Sequence, residues 1–413
     1  MPTSGVCWYA ILEGLSLSMR GFSLLFPDVT AMVHIFFVGG TGHIGGAVLN
    51  QLLRKYADAN VKVLVRDESK AARLVRTYPQ IETVIGDAGN FDILEKCSEA
   101  ADVVINTAPD ITHDDGIKAI LTGLKARGAA NGIKPYYIHT SGASLIWDEP
   151  AGSKDARRWD DLADIGDICA FKGEAHTHAV TDKIVRDAAT DVNVAIMSPG
   201  FVGGMSPSLE HPTPITAPAL LLTARAFKSG WQIAEGENTH AWIHVSDLAK
   251  MFLILVGKAI DGTSESEPFA IWGPEAYYFG TSEDISFGEF MKHLAPVLKD
   301  QKIIESTEIK SVSVAEAARA SIAGSDYDPD APPPPPDTWA MHIAIMYGIN
   351  MRIEASRMAK LGWKAEKASI LESFPQIVAG LLAREYVPAK YQIKCYNEDQ
   401  ILNRSRRLND HVH

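Results

Sequence analysis

Between Val38 and Gly46 the chain reads Val-Gly-Gly-Thr-Gly-His-Ile-Gly-Gly, which places Gly39, Gly42 and Gly45 in a G-x-x-G-x-x-G spacing. Glycines so spaced let a backbone turn tightly, approach a pyrophosphate closely and pack a helix on a strand. The helix N-terminus beyond them adds N–H donors and a positive dipole. The spacing alone is weak evidence, but its context is informative. A β-branched and aromatic run, Val33–Val38, precedes it, and Ile44, Val48, Leu49, Leu52 and Leu53 follow at helical spacing. Strand, turn and helix in that order make this a dinucleotide turn. The end of the next strand chooses between dinucleotides. An acidic residue there would pair with the ribose 2′-hydroxyl of NAD, whereas Val65-Arg66-Asp67 puts a guanidinium at the tip, suited to a 2′-phosphate. NADP is the expected cofactor; Asp67 keeps NAD open.

The elements that must position these residues alternate. Val61–Val65, Thr83–Ile85, Val103–Ile105, Tyr136–His139 and Val192–Met197 read as the second to sixth strands, with helical patterns between them. Such alternation calls for an α/β fold, a Rossmann-type doubly wound parallel sheet with right-handed crossovers. After Pro199 the regularity breaks. Residues 200–240 are rich in proline and glycine, and residues 275–375 read as helices and loops with an occasional strand. Ala323–Asp337, with its run Pro332–Pro336, reads as a surface loop or polyproline II spacer. No internal repeat is visible.

Composition bounds the function. The 413 residues carry 39 Lys+Arg against 51 Asp+Glu, a formal charge of −12, with 46% hydrophobic and 22% charged residues. This is a globular composition, and the acidic balance argues against nucleic acid or anionic lipid as partners, both of which reward positive charge. Cys7, Cys97, Cys169 and Cys395 show no zinc-type spacing, so a reducing, cytoplasmic setting is expected. Residues 1–31 are moderately apolar but are interrupted by Glu13 and Arg20, with no cationic region ahead of them. They read as a floppy extension before Met32, with a signal anchor as the alternative.

Further motifs extend the pattern: Gly86-Asp87 after strand three, Asn106-Thr107-Ala108-Pro109 after strand four and His139-Thr140-Ser141-Gly142 after strand five. With the glycine turn, these resemble the short-chain dehydrogenase/reductase superfamily, and its extended, NAD-dependent epimerase/dehydratase branch more narrowly. Met197–Gly203, Trp242–Ala249 and Ser356–Trp363 resemble three later segments of that branch, R-P-x-x-V-Y-G, V-H-V-x-D-L-A and S-R-K-A-x-x-L-G-W. The resemblance spans about Met32 to Leu382 and is nearest to fungal-type members, which suggests secondary metabolism as a setting. It implies that Gly39, Thr41, Gly42, His43 and Ile44 line the pyrophosphate and that Arg66 meets the adenosine ribose. It places Asp87 and Ala88 at the adenine, Thr107, Ala108 and Pro109 along the nicotinamide ribose, and Pro199 and Phe201 at the nicotinamide face.

The superfamily's reactive set, a Ser or Thr after strand five and a Y-x-x-x-K on the next helix, is missing. No tyrosine occurs between Ile138 and Ala276. Aligning that helix by Ile184 and Val185 puts Glu174 at the tyrosine and His178 at the lysine, and it puts Gly142 at the serine, with Ser141 and Ser144 flanking. Glu174 and His178, four apart, would share a helical face and could exchange protons near neutral pH; a Glu–His bond that merely fixes the helix is the other reading. His113, Asp114 and Asp115 read as a solvated acidic loop or a group facing the cleft, and His244 as a residue that orients backbone.

The expected organisation is an extension (1–31), a nucleotide lobe (32–203 and 241–274), a substrate lobe (204–240 and 275–380, with a proline-rich loop at 323–338) and a tail (381–413). The expected function is an NADP-dependent oxidoreductase or isomerase of a small organic molecule that uses Ser144, Glu174 and His178, with segment 200–240 roofing an apolar pocket. No metal or membrane is expected, and a homodimer is compatible. The alternative is an inactive NAD(P)-binding sensor.

Overall fold

The computed structural model describes residues 32–108, 113–154, 156–172, 176–263, 266–336 and 338–383. The expected extension at 1–31 and most of the tail therefore lie outside the described residues. The described residues from Val33 onward form one compact unit.

The first half alternates as its hydrophobic periods require. β1 (His34–Val38), α1 (His43–Lys55), β2 (Asn60–Val65), α2 (Glu68–Thr77), β3 (Glu82–Ile85), α3 (Phe91–Glu99), β4 (Val103–Asn106), α4 (Asp114–Asn131) and β5 (Tyr136–Thr140) follow in order. A short 3-10 turn (Ala143–Ile146), β6 (Trp159–Asp160), α5 (Ile165–Ala170), α6 (Ala179–Asp187), β7 (Asn193–Pro199) and β8 (Phe201–Gly203) come next. The second half comprises α7 (Ala217–Phe227), β9 (Gly230–Ile233), β10 (Thr239–His244), α8 (Val245–Ile260), β11 (Tyr277–Gly280), β12 (Glu283–Ser286) and α9 (Phe287–Asp300). It ends with β13 (Ile309–Val312), α10 (Val314–Ala323), α11 (Trp339–Gly348), β14 (Ile353–Glu354), α12 (Ser356–Lys360) and α13 (Ile370–Leu382).

The main sheet has seven strands in the order β11-β7-β5-β4-β1-β2-β3, parallel throughout. Strand order reverses between β1 and β4, the switch point outside whose carboxyl ends such sheets bind ligands. Side-chain alternation divides β1 between two cores. Ile35 and Phe37 pack with α1 and α8, whereas Phe36 and Val38 pack with α4 and with residues of α7 to α11.

The seventh strand was not among the six read from the sequence. Tyr277–Gly280 pairs with β7 from Ile196 to Pro199, although it belongs to a stretch assigned to the substrate lobe. Its partner lies about eighty residues earlier, and no local turn signals a pairing that distant. Before α11, Asp328–Pro336 carries no helix or strand, in keeping with a proline-rich loop.

Candidate functional site

The glycine turn is built to admit a flat, charged group. Gly39 has φ of 84°, and a Cβ there would lie 2.5 Å from the Ala108 amide nitrogen. A Cβ on Gly45 would lie 2.1 Å from the Gly39 carbonyl oxygen and 2.4 Å from Thr107 Oγ1. Gly42 caps α1 with extended backbone and no side-chain hydrogen bond, so the amides of the first helical turn, beginning with His43 and Ile44, stay available to an anion. Thr107 is fixed beside them, its amide and hydroxyl both donating to the Val38 carbonyl at 2.9 and 3.2 Å. These residues fit a dinucleotide pyrophosphate.

At the tip of β2 the two candidate determinants separate. Asp67 caps α2, accepting from the Lys70 amide at 2.9 Å and pairing with Lys70 Nζ at 2.9 Å, and these contacts hold its carboxyl down to about 2. Its acceptor capacity is thus turned toward α2. Arg66 is exposed next to it, with no ion pair among the described residues. Asp87, expected at the adenine, is exposed and accepts from the Gly89 amide at 2.9 Å. Ala88 is approached so closely by α4 that a Cβ on Gly116 would reach its carbonyl at 2.5 Å. Pro109 lies outside the described residues.

Segment 204–212 departs from the expected roof over a substrate pocket: it lies on the glycine turn. Ser206 Oγ donates to the His43 carbonyl and Ser208 Oγ to the Thr41 carbonyl, each at 2.7 Å, and Glu210 receives two hydrogen bonds from Arg73 of α2. A Cβ on Gly46 would meet Ser208 Cα at 2.7 Å, which explains a glycine just beyond the three of the G-x-x-G-x-x-G spacing. The His43 ring lies under this strap, with Nδ1 at 3.3 Å from the His211 carbonyl oxygen, and burial lowers its pKa to about 4. Trp231, which was expected to roof the pocket, is a core residue at 1% exposure. Pro199 and Phe201 are likewise buried. Phe201 stacks on His240 at 4.5 Å, within an aromatic core formed where β8 pairs with β10.

The proton-transfer candidates divide. Glu174 lies outside the described residues, so its expected pairing with His178 is not seen. The helix expected across both residues begins only at Ala179, and His178 is its N-cap, with φ of 77°. Hydrophobic periodicity over Ile184 and Val185 carried the expected helix one turn too far, because nothing in that pattern signals a left-handed residue at the cap. The structure instead brings His178 to the end of β5. A Cβ on Gly142 would lie 2.7 Å from His178 Nε2, so the imidazole stands where a side chain at 142 would begin. Ser144 lies two residues on, in the 3-10 turn, at 9% exposure.

Aromatic faces gather near this turn. Trp147 meets His342 of α11 at 5.2 Å, Trp339 stacks on the same imidazole at 5.6 Å, and Phe171 lies 4.2 Å from His176, whose Nδ1 is 3.0 Å from the Leu145 carbonyl oxygen. Beneath the turn, Asp182 of α6 is 1% exposed and accepts from Ser141 Oγ at 3.0 Å and Tyr277 OH at 3.2 Å. The sequence reading passed over Asp182, although it follows His178 by one helical turn. Asp114, in the first turn of α4, accepts from Thr181 at 3.0 Å, while Asp115 pairs with Lys118. His244 orients backbone as expected, accepting from the Ser246 amide at the start of α8.

Residues 39–202 match the family model described as NAD(P)H-binding. This region is an NAD(P)-binding domain. Oxidase ucsJ from Acremonium sp is 25% identical over 357 residues, spanning 83% of this chain and 96% of the oxidase. Among solved structures, UDP-glucuronic acid 4-epimerase from Bacillus cereus, in complex with NAD, aligns with a TM-score of 0.55 at 14% identity, over 84% of this chain and all of the epimerase. Vestitone reductase from alfalfa aligns at 0.52 and 15% identity, over 86% of this chain and 99% of the reductase. The NAD(P)-binding domain thus carries the fold of the epimerase, dehydratase and reductase enzymes whose motifs it resembles. No helix among the described residues is long and apolar enough to cross a membrane.

Proposed function

We propose that the chain is an NADP-dependent oxidoreductase or isomerase of a small organic molecule in which His178 exchanges the proton. The carrying observation is the placement of His178 Nε2 against Gly142. The residue replacing the superfamily's lysine fills the space of the superfamily's serine, at the carboxyl end of β5 and next to the switch point. An imidazole can give and take a proton near neutral pH without a tyrosine. Its left-handed backbone is costly for a non-glycine residue and is the kind of strain kept at functional sites.

When bound, the dinucleotide would supply hydride exchange at its nicotinamide. The chain's residues do the rest. The amides after Gly42 hold the pyrophosphate, Arg66 holds the 2′-phosphate, and Thr107 and Ala108 border the ribose. His178, with Ser144 in the turn after Gly142, holds or releases the proton at the substrate oxygen. Trp147, Trp339 and Phe171 offer flat apolar faces, so the substrate is a small molecule with an apolar body. The relative named as an oxidase supports redox chemistry.

The test is His178→Gln, which keeps a hydrogen-bonding side chain but removes the titratable group. Turnover of NADPH with a carbonyl substrate panel should fall by roughly a hundredfold or more. Retained turnover in that variant would return His178 to a structural role. The absence of a tyrosine between Ile138 and Ala276 favours a second reading, a cofactor-binding sensor without a reaction. Tight NADPH binding with no turnover over the whole panel would support it.

A further inference from the structure

Asp182 touches both sides of the His178–Gly142 contact. Its amide donates to the His178 carbonyl at 2.8 Å, and its carboxylate accepts from Ser141, the residue before Gly142, at 3.0 Å. Ser141 is anchored in turn by its amide on the Met197 carbonyl at 2.8 Å, so the end of β5 is held to β7 while its hydroxyl reaches down to α6. A buried carboxylate costs several kcal/mol unless it is well satisfied, and an apolar residue would serve helix packing as well on the face shared with Ala179 and Val185. The groups around Asp182 include His139 of β5 (Nε2 at 4.0 Å), Ser141 after β5 and Tyr277 of β11, with Cys169 of α5 near enough to feel its charge. This network extends through Tyr137 to Asn106, whose side chain accepts from the Ala108 amide at 3.0 Å, at the end of β4.

We propose that Asp182 is the positioning residue of this site, setting where the His178 imidazole stands over Gly142 and how firmly it holds a proton. A negative charge one helical turn from an imidazole favours its protonated form, and a residue that accepts from Ser141 through its carboxylate and donates to the His178 carbonyl through its amide keeps the ring over the turn. The inference rests on His178 as the proton-exchanging group, yet it concerns a position and a proton affinity that are measurable without turnover.

Asp182→Asn preserves the backbone hydrogen bond to the His178 carbonyl and one acceptor oxygen while removing the charge. The test is a histidine-ring NMR titration of the full chain, with His178→Gln identifying the resonance. The proton affinity of His178 should fall roughly threefold or more in Asp182→Asn, and the nuclear Overhauser contact from its ring to the Gly142 α-protons should weaken. Ser141→Ala, which keeps the charge but removes the tie, should weaken that contact too, and it decides the matter should Asp182→Asn not fold. A merely structural Asp182 would lower Tm and leave both readouts unchanged; that result would overturn the proposal. Loss of turnover in His178→Gln tests the reading of His178 separately.

Discussion

His178 Nε2 stands 2.7 Å from the point where a Cβ on Gly142 would lie. Imidazole and glycine are therefore coupled: a side chain at 142 requires the ring to leave. Gly142→Ser should cost about 1–3 kcal/mol of stability by overpacking, measured as a lowered urea midpoint. Adding His178→Ala should recover most of that loss, because it empties the volume the serine needs. Independent, additive effects of the two changes would show that the contact is not real.

On the proposed reading, cofactor choice rests on Arg66, with Asp67 engaged in capping α2. Arg66→Ala should weaken NADPH binding roughly tenfold or more, the value of a charge-assisted hydrogen bond, and change NADH binding little. Fluorescence titration with both dinucleotides checks this, and equal losses would remove the 2′-phosphate from the argument. Asp67→Ala should chiefly destabilise α2, by about 1 kcal/mol for the lost cap.

The strap makes Gly46 a position of close backbone approach. Gly46→Ala gains helix propensity, but its Cβ would meet Ser208 Cα at 2.7 Å, and backbone there cannot yield cheaply. A net loss of about 1–3 kcal/mol is expected, together with weaker NADPH binding as the glycine turn shifts. Ser208→Ala should lose about 1 kcal/mol for its bond to the Thr41 carbonyl. A fully stable Gly46→Ala protein with native NADPH affinity would contradict the strap's role.

Stability should fall in mild acid. Burial lowers the pKa of His240 to about 3 and that of His43 to about 4, both from 6.5. The folded state therefore holds fewer protons than the unfolded state between those values. Stability is fully present above pH 6.5 and is lost as pH falls toward the folded values, by about 1.4 kcal/mol per pH unit for each ring. Urea midpoints at pH 7, 6 and 5 measure the slope, and His240→Gln should flatten it by one ring's share. An unchanged slope would mean that His240 protonates freely in the fold.

Much of the fold was readable because its signals are local. A glycine turn between strand and helix, and apolar runs alternating between two periods, specify a doubly wound sheet through neighbouring residues alone. Arg66 at a strand tip is local in the same sense. Glycine spacing likewise marked Gly39 and Gly45, although the atoms that crowd them include Thr107 and Ala108 at the end of a distant strand. The seventh strand, the strap on Gly46 and the inward turn of Phe201 were not readable, since each depends on a partner distant in sequence and of ordinary residue type.

The sequence by itself determined that a dinucleotide turn exists, that it opens a parallel α/β sheet, and that the tyrosine and lysine of the resembled enzymes are missing. Only the tertiary structure decided that His178 stands against Gly142. Hydrophobic periodicity records which helix face is buried but carries no sign of a left-handed cap, so it could not show that His178 leaves the helix and meets Gly142. Nor could it show Asp182 beneath them, because a buried carboxylate is recognisable only once Ser141 and Tyr277, forty-one and ninety-five residues away, are seen to satisfy it.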